Sequence, residues 1–417
     1  MTHRTSAFGE LRTAAGWHFF VIAFLGRLPV AMNVVGVLTL VAVARGSLAE
    51  AGIASATLGI ASGIGAPLLG AAADRWGQRP VLTAVALVNT AALVGVVTAA
   101  FADVPLVVLS VACLVAGATI PQISSMARSR WMALLVGDDR SRRRMSAAMS
   151  YEGMADELSF VGGPVLVGIL GAGFGPAVPM LTAAAITLVF VIAFAWHPTA
   201  AAVRPHPHPP SPERAGRPLG LRPLVALPIG GMFFMGAFFG AALVALTAFL
   251  RAQGLEEQTG LVYGCMGVTS AVSAIALVAL PERIALATRW AVSASVLVVA
   301  AVCMSFVETV WGMVLVLLLV GAAAGALLVT LNSAGAAAAP PRRMATTMTL
   351  LASGIIVGQA IASAVTGGLA EHLGFPAAVG CLLVAAIGGV LVALLNILVV
   401  RRARASASSD RLEGEPA

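Results

Sequence analysis

Three carboxylates lie within six residues of one another inside an otherwise apolar stretch. Glu152, Asp156 and Glu157 follow Met145 and precede a Gly- and Val-rich run. A carboxylate at the centre of a bilayer costs roughly 2.5–3.5 kcal/mol, so this cluster needs a counter-charge, water or a bound proton. On a helix Glu152 and Asp156 share a face, while Glu157 lies about 100° around it. Because clustered, buried acids raise one another's proton affinity, the pattern indicates reversible binding of a proton or a cation.

One basic residue, Arg27, also lies inside an apolar stretch. At 1.5 Å per helical residue, Arg27 lies about 16 Å into its segment and Glu157 about 18 Å into its own. We predict that Arg27 pairs with Glu157 or Asp156 and leaves one acid free to exchange a proton. Two alternatives stay open: the charges form a purely structural ion-pair network, or the segment begins later and leaves Glu152 at the lipid headgroups. One positive and three negative groups would leave a formal charge of −2, which favours protons or cations over anions.

The elements that must position these residues are long apolar segments. Of 417 residues, 59% are hydrophobic and 10% are charged, and the mean hydropathy is +0.97. A soluble domain carries about a quarter of its residues charged, and a bilayer span needs about 20 apolar residues, so the composition predicts about a dozen spans. Runs of this length indicate helices, because barrel strands are shorter. The predicted spans are 16–44, 51–72, 80–101, 105–127, 145–170, 176–196, 224–250, 258–280, 290–307, 310–338, 346–370 and 375–399.

Arginine placement predicts the orientation of the spans. Nearly every Arg falls in alternate connections, which places both termini in the cytoplasm by the positive-inside rule. A stretch rich in Pro and His divides the chain; His206 and His208 there could bind a metal, but a solvated linker is favoured. The predicted divisions are a cytoplasmic N-terminus (1–15), a six-helix bundle (16–196), a cytoplasmic linker (197–223), a second six-helix bundle (224–399) and a cytoplasmic tail (400–417).

Other functional classes find little support in the sequence. The four cysteines are isolated in apolar stretches, so we expect no disulfide framework and no metal site. His18 is the one histidine inside a predicted span, and no catalytic constellation or nucleotide-binding loop accompanies it. We therefore expect neither an enzyme nor a cofactor. The arginines that orient the spans account for the net charge of +7, so we do not interpret this charge as a sign of nucleic-acid binding.

A charged loop between the second and third predicted spans carries a family resemblance. Its sequence, from Gly70 through Asp74, Arg75 and Gly77 to Arg79, resembles the signature loop of the major facilitator superfamily. An ordinary positive-inside loop is the alternative. Gly70 would permit close helix approach and Gly77 a tight turn, with Asp74 and the arginines forming a charged latch. The resemblance implies twelve transmembrane helices in two pseudo-symmetric six-helix bundles, with Asp74 helping to close the cytoplasmic side. Gln78 replaces the usual basic residue.

A second resemblance concerns the direction of transport. Gly163, Pro164 and Gly168 partly match the Gly-Pro element of drug:proton antiporters, although Cys113 stands where many of them carry an Arg. The stretch Arg128-Ser-Arg130-Trp131, followed by the three acids, resembles actinobacterial drug-efflux-type members. Further polar or aromatic residues could line a cavity or only pack between helices or against lipid. These are Asn33, Gln122, Phe234, Phe238, Asn332 and Gln359.

These patterns together predict a multi-pass protein of the bacterial plasma membrane. The expected function is proton-coupled efflux, by antiport, of a small amphipathic or cationic compound such as a drug or secondary metabolite. A proton-coupled nutrient importer (symporter) is the alternative, and a non-transporting receptor or a membrane enzyme a remote one. The expected partners are a small-molecule substrate, protons and lipid, without nucleic acid. The oligomeric state stays open, and a monomer is compatible with the sequence.

Overall fold

Long helices make up nearly all of the chain that the structure, a computed structural model, describes. The described residues are 7–102, 104–135, 141–203, 223–278, 284–339 and 344–413. Most of the predicted linker, including His206 and His208, lies outside them. The helices are α1 (Ala7–Ala15), α2 (Trp17–Arg45), α3 (Leu48–Trp76), α4 (Gln78–Phe101), α5 (Leu106–Ala118), α6 (Ile123–Leu134), α7 (Ser141–Phe174), α8 (Ala177–Ile186), α9 (Ile192–Trp196), α10 (Pro223–Ala252), α11 (Thr259–Val278), α12 (Leu286–Met304), α13 (Val310–Ala338) and α14 (Met344–Glu413).

The chain forms two compact units. The first comprises residues 1–211 and 253–264, and the second comprises residues 212–252 and 265–417. In the first unit, glycines with positive φ separate the early helices: Gly16 (78°), Gly46 (64°) and Gly77 (89°). Only glycine adopts such angles at little cost, so the apolar runs end at these positions. Ser47 caps α3 by accepting a hydrogen bond from the Glu50 backbone N–H.

The fourth predicted span, 105–127, is broken in the middle. Helix α5 ends at Ala118 and α6 begins at Ile123. Pro121 lies in the gap and has no N–H to donate. Side chains donate to two carbonyl groups at the break: Asn89 Nδ2 donates to Ala116 O (2.7 Å), and the Thr119 hydroxyl donates to Val115 O (2.6 Å), which also accepts from the Thr119 backbone N–H (3.1 Å). The polar residues near the break therefore stabilise a discontinuous helix.

Two other helices of the first unit also depart from the predicted ranges. Helix α7 begins at Ser141, earlier than the predicted start at residue 145, and continues through Pro164. Between α8 and α9 a single π-helical turn spans Thr187–Val191. Such turns insert one extra residue and are frequent near functional sites.

The second unit holds α10, most of α11, and α12 to α14. Helix α14 contains a sharp kink at Gly374, where φ is 73°, followed by Pro376. The kink lies in the predicted connection between the last two spans, 346–370 and 375–399. Helix α10 is largely enclosed, and residues 241–250 are all buried.

Ten helices or helical segments among the described residues are long and apolar enough to cross a membrane. The predicted all-α membrane architecture is therefore confirmed. The count of twelve, the domain boundaries and the cytoplasmic placement of the termini stay predictions.

Candidate functional site

Arg27 on α2 is the centre of a buried ion-pair network in the first unit. Its Nη2 lies 2.6 Å from Glu152 Oε2, and its Nη1 lies 3.2 Å from Asp156 Oδ1. Its Nε donates to the backbone oxygen of Ala23 at 3.1 Å. The predicted contact with Asp156 is thus present, but the closer partner is Glu152. Since the Arg27 side chain folds back toward the N-terminal end of α2, it meets an acid nearer the start of α7 than the depth comparison indicated.

Glu152 is completely enclosed, with 0% of its side chain exposed. The Trp131 indole N–H donates to its Oε1 at 2.8 Å, so both carboxylate oxygens have a partner. Glu152 therefore faces the protein interior, and its depth in a bilayer stays a prediction. Glu152 and Asp156 do share one face of α7, as their spacing predicts. The side chain of Glu157 lies outside the described residues.

Asp156 is more accessible than Glu152, with 21% of its side chain exposed. Its Oδ1 accepts from the Ser124 hydroxyl at 2.6 Å, and its Oδ2 lies 2.5 Å from Arg128 Nη2. Ser124 is in the first turn of α6, where a negative charge is favoured by the helix dipole. The sequence analysis did not identify Arg128 as a partner of the acids, because it assigned the arginines at that end of the span to orientation of the protein in the membrane. The signal was the spacing of Ser124, Arg128 and Trp131, which places all three on one face of α6.

The second arginine changes the charge balance of the site. Arg27, Arg128, Glu152 and Asp156 together carry no net formal charge. Glu157 would add one negative charge. The net negative charge of the site is therefore smaller than the predicted −2.

A cavity of about 210 Å³ lies beside this network, within the first unit. The broken span forms one wall, since Gln122 and Ser124 contribute to it. The predicted cavity residue Gln122 thus lines this space, while its Nε2 donates to Ile120 O at 3.1 Å. The lining comprises the polar residues Arg27, Gln122, Ser124, Asp156 and Ser159, and the apolar residues Val30, Ala31, Pro121, Ile123 and Phe160. One cation, one anion and several hydroxyl and amide groups therefore face an otherwise apolar space.

Asn33, also predicted to line a cavity, is fully buried elsewhere on α2. Neither atom of its side-chain amide has a hydrogen-bond partner among the described residues. It is not part of the lining just described.

The predicted lining residues of the second unit differ in their burial. The Phe234 ring packs directly on Gly388, where an added Cβ would collide with it, and Phe238 is fully buried. Asn332 is exposed and donates to Leu328 O at 2.9 Å. The backbone oxygen of Gln359 lies against Gly240 in a close contact between helices. For Phe234 the structure therefore favours the packing alternative.

The charged loop between α3 and α4 is largely exposed. Asp74 makes no ion pair with any residue that the structure describes, while the Arg75 and Arg79 guanidinium groups lie over the rings of Trp76 (5.8 Å) and Trp196 (6.0 Å). Gly77 makes the predicted tight turn. Gly70 does not make the expected close approach, because an added Cβ there would meet no atom within 4 Å. The gating role of the loop stays a prediction.

Gln78, which replaces a basic residue of the signature loop, has a definite partner. Its Oε1 accepts from Arg130 Nε at 2.8 Å, and its Nε2 donates to the Ser129 hydroxyl at 2.7 Å. Arg130 is fully buried, lies 3.7 Å from the ring centroid of Phe194, and donates to Phe194 O at 2.8 Å. A basic residue at position 78 would place a second cation beside this guanidinium. This cluster was not predicted.

The Gly-Pro element of α7 is a close packing surface. A Cβ at Gly163 would come within 2.5 Å of Ala31 Cβ on α2, and a Cβ at Gly168 would collide with the Leu261 backbone nitrogen. Gly260 in turn lies against the backbone oxygen of Pro164. The element therefore brings the ion-pair helix α7 into backbone contact with α2 and with the first turn of α11.

Comparison with known proteins agrees with this architecture. The family model described as Major Facilitator Superfamily matches residues 19–351. Among solved structures, the nucleoside transporter NupG is similar over 91% of this chain and 97% of its own, with 15% identity and a TM-score of 0.66. The human organic anion transporter MFSD10 (TETRAN) shows 19% identity, coverage of 91% and 97%, and a TM-score of 0.59. The POT family transporter PepTSo shows 12% identity, coverage of 92% and 98%, and a TM-score of 0.67. None of the curated protein sequences gave a significant match.

Proposed function

Because the chain belongs to the major facilitator superfamily, we propose that it is a secondary active transporter that exports a small amphipathic or cationic compound in exchange for protons. The similar solved structures include a nucleoside transporter, an organic anion transporter and a POT family transporter, so the fold alone selects no substrate. The proposal depends on the site rather than on these neighbours.

The observation that carries the proposal is the position of Asp156. It faces a cavity, touches two arginines, and lies beside a discontinuous helix. In secondary transporters the substrate and ion sites are typically formed by discontinuous helices near mid-membrane. An ionisable residue inside a span costs free energy of insertion, and such residues typically mark ion or substrate pathways.

A proton on Asp156 would remove the charge that holds Arg27 and Arg128 together. The network would then carry an excess positive charge, which the enclosed space around Arg27 disfavours. Protonation therefore provides a way to bias one arrangement of α2, α6 and α7 over another. Glu157 is a second proton-binding candidate, and Glu152 is the least accessible of the three.

Proteoliposomes with an imposed proton gradient test this function. The purified protein would be challenged with lipophilic cations, sugars and organic acids while internal pH is followed with a fluorescent dye. We expect substrate-dependent proton flux opposite to the substrate, lost in Asp156→Asn and reduced in Glu157→Gln. The matched control is Glu50→Gln, which removes a carboxylate paired with Arg45 at 3.0 Å outside the cavity and should leave the flux unchanged.

Flux of protons in the same direction as the substrate would instead identify an importer. Undiminished coupling in both Asp156→Asn and Glu157→Gln would refute the assigned role of these acids. Transport without any proton movement would refute proton coupling altogether.

A further inference from the structure

The three groups that donate to Asp156 are not equally fixed. Arg27 has Ala23 O, Glu152 and Asp156 as partners and is 2% exposed. Ser124 belongs to the first turn of α6. Arg128 is 36% exposed, and Asp156 is its one ion-pair partner within the described part of the chain. Arg128 is therefore the donor that can leave with the least rearrangement.

Departure of Arg128 would convert a balanced site into an anionic one. Arg27 and Glu152 would remain a closed neutral pair, because both Glu152 oxygens are occupied by Arg27 and Trp131. Asp156 Oδ2 would then lose its cation, while Oδ1 keeps Arg27 Nη1 at 3.2 Å and the Asp156 side chain lines the cavity. A partly enclosed carboxylate in this position attracts a cation of similar size to the guanidinium that left.

The cavity limits what that cation can be. Its volume of about 210 Å³ lies below the ~300–1,000 Å³ typical of sites for drug-sized ligands. Val30, Ala31, Ile123 and Phe160 form an apolar wall near the carboxylate. The space suits a compact head group attached to a small hydrophobic body rather than a large or highly charged molecule.

We propose that Arg128 is an internal competitor for Asp156, displaced by an organic monocation whose primary ammonium or guanidinium head takes its place. This proposal rests on the transport function proposed for the same site and adds the substrate class and a specificity-determining residue. With Arg128 in place the site is neutral and closed to cations. With the substrate cation in place the site is again neutral, and Arg128 is exposed to solvent.

The competing interpretation is that Arg128 merely positions Asp156. The two interpretations predict opposite effects of removing the arginine charge. A competitor lowers the apparent affinity for a cation, so its removal tightens binding. A positioning residue supports the carboxylate, so its removal weakens binding.

Equilibrium binding of benzylguanidinium to the purified full-length protein in detergent tests the proposal. Arg128→Gln keeps much of the side-chain length and removes the charge. We expect the dissociation constant to fall about fivefold, since partly exposed ion pairs contribute up to about 1 kcal/mol. Asp156→Asn should abolish binding. The matched control is Arg12→Gln, an exposed arginine on α1, which should leave the dissociation constant unchanged.

Neutral and anionic analogues complete the test. The binding of benzyl alcohol and of benzoate should be the same for wild type and Arg128→Gln. Weaker or equal benzylguanidinium binding in Arg128→Gln would overturn the proposal, as would the absence of binding in both proteins. Should Arg128→Gln fail to give monodisperse protein, Arg128→Lys is expected to give an intermediate dissociation constant, and a value equal to wild type would overturn the proposal.

The outcomes separate this proposal from the transport function. Proton-coupled transport of other compounds in proteoliposomes, without benzylguanidinium binding, would refute the substrate class and leave the transporter assignment intact. Binding of benzylguanidinium that responds to Arg128→Gln, without proton flux, would support the competitor and refute proton coupling.

Discussion

Removal of either partner of the Arg27–Glu152 pair should destabilise the protein far more than removal of both. The pair is 2.6 Å apart, with 2% and 0% of the two side chains exposed. Leaving one charge of such a pair buried and unpaired costs roughly 3–5 kcal/mol, whereas replacing both by apolar residues is often close to neutral. We therefore expect Arg27→Met, which leaves Glu152 without a counter-charge, to lower the free energy of unfolding by about 3–5 kcal/mol. Glu152→Leu should cost about 3 kcal/mol, because Arg27 then keeps only the longer contact with Asp156 (3.2 Å), a carboxylate that also pairs with Arg128.

The double variant should recover most of that loss. Arg27→Met together with Glu152→Leu leaves the Trp131 indole N–H without its acceptor, which costs about 1–3 kcal/mol. Asp156 retains Arg128 and Ser124. The double variant should thus be less destabilised than either single variant, and the coupling between the two sites should exceed about 2 kcal/mol.

The assay is reversible unfolding in mixed micelles with increasing SDS, followed by tryptophan fluorescence and circular dichroism. The matched control is the Arg144–Glu10 pair, which has the same 2.6 Å separation but side chains that are 29% and 28% exposed. Its double-variant cycle, Arg144→Met and Glu10→Leu, should give a coupling of no more than about 1 kcal/mol. Additive losses in the Arg27–Glu152 cycle, or a coupling equal to that of the control, would refute the reasoning from burial.

Three further predictions follow from packing and charge. Gly168→Ala should lower stability by about 1–3 kcal/mol because its Cβ would collide with the first turn of α11, whereas Gly173→Ala, in open space on the same helix, should be neutral in the same unfolding assay. Gln78→Arg should lower the thermal midpoint, because Arg130 loses an acceptor and gains a neighbouring cation. Burial and the Arg130 charge lower the pKa of His197 from its ordinary 6.5, so the folded state binds fewer protons there than the unfolded state. Stability should therefore decrease as pH falls below about 6.5, and His197→Gln should flatten that dependence in thermal unfolding scans. A wild-type midpoint independent of pH between 5 and 7 would contradict the last prediction.

Helical spacing and hydropathy were sufficient to predict much of the site. The positions of Glu152 and Asp156 on one face follow from their separation by one turn, and Arg27 was identified because its surroundings are apolar. The all-helical architecture follows from composition, because apolar runs of this length leave no other way to satisfy backbone hydrogen bonds.

The remaining features depend on contacts that helical periodicity does not encode. The predicted pairing of Arg27 with Asp156 is present, but the closer partner Glu152 was not predicted, since the depth comparison ignored the direction in which a long side chain folds. Arg128 was assigned to orientation of the protein in the membrane. Arginine serves both this purpose and ion pairing, and residue type alone does not distinguish the two. The break at Pro121 was missed, because the strongly apolar residues of α5 dominate the mean hydropathy of the whole segment, although α6 is polar.

Donors and acceptors at regular helical spacing connect α6 with α7. Ser124, Arg128 and Trp131 present donors at successive turns of one helix, and Asp156 and Glu152 present acceptors at successive turns of the other. Since one helical turn advances about 5.4 Å, a slide of one turn that carried Arg128 from Asp156 to Glu152 would leave Trp131 without an acceptor. All three donors thus have acceptors in the observed register and lose at least one of them on such a slide. We therefore expect α6 and α7 to move together as one body rather than to slide along each other.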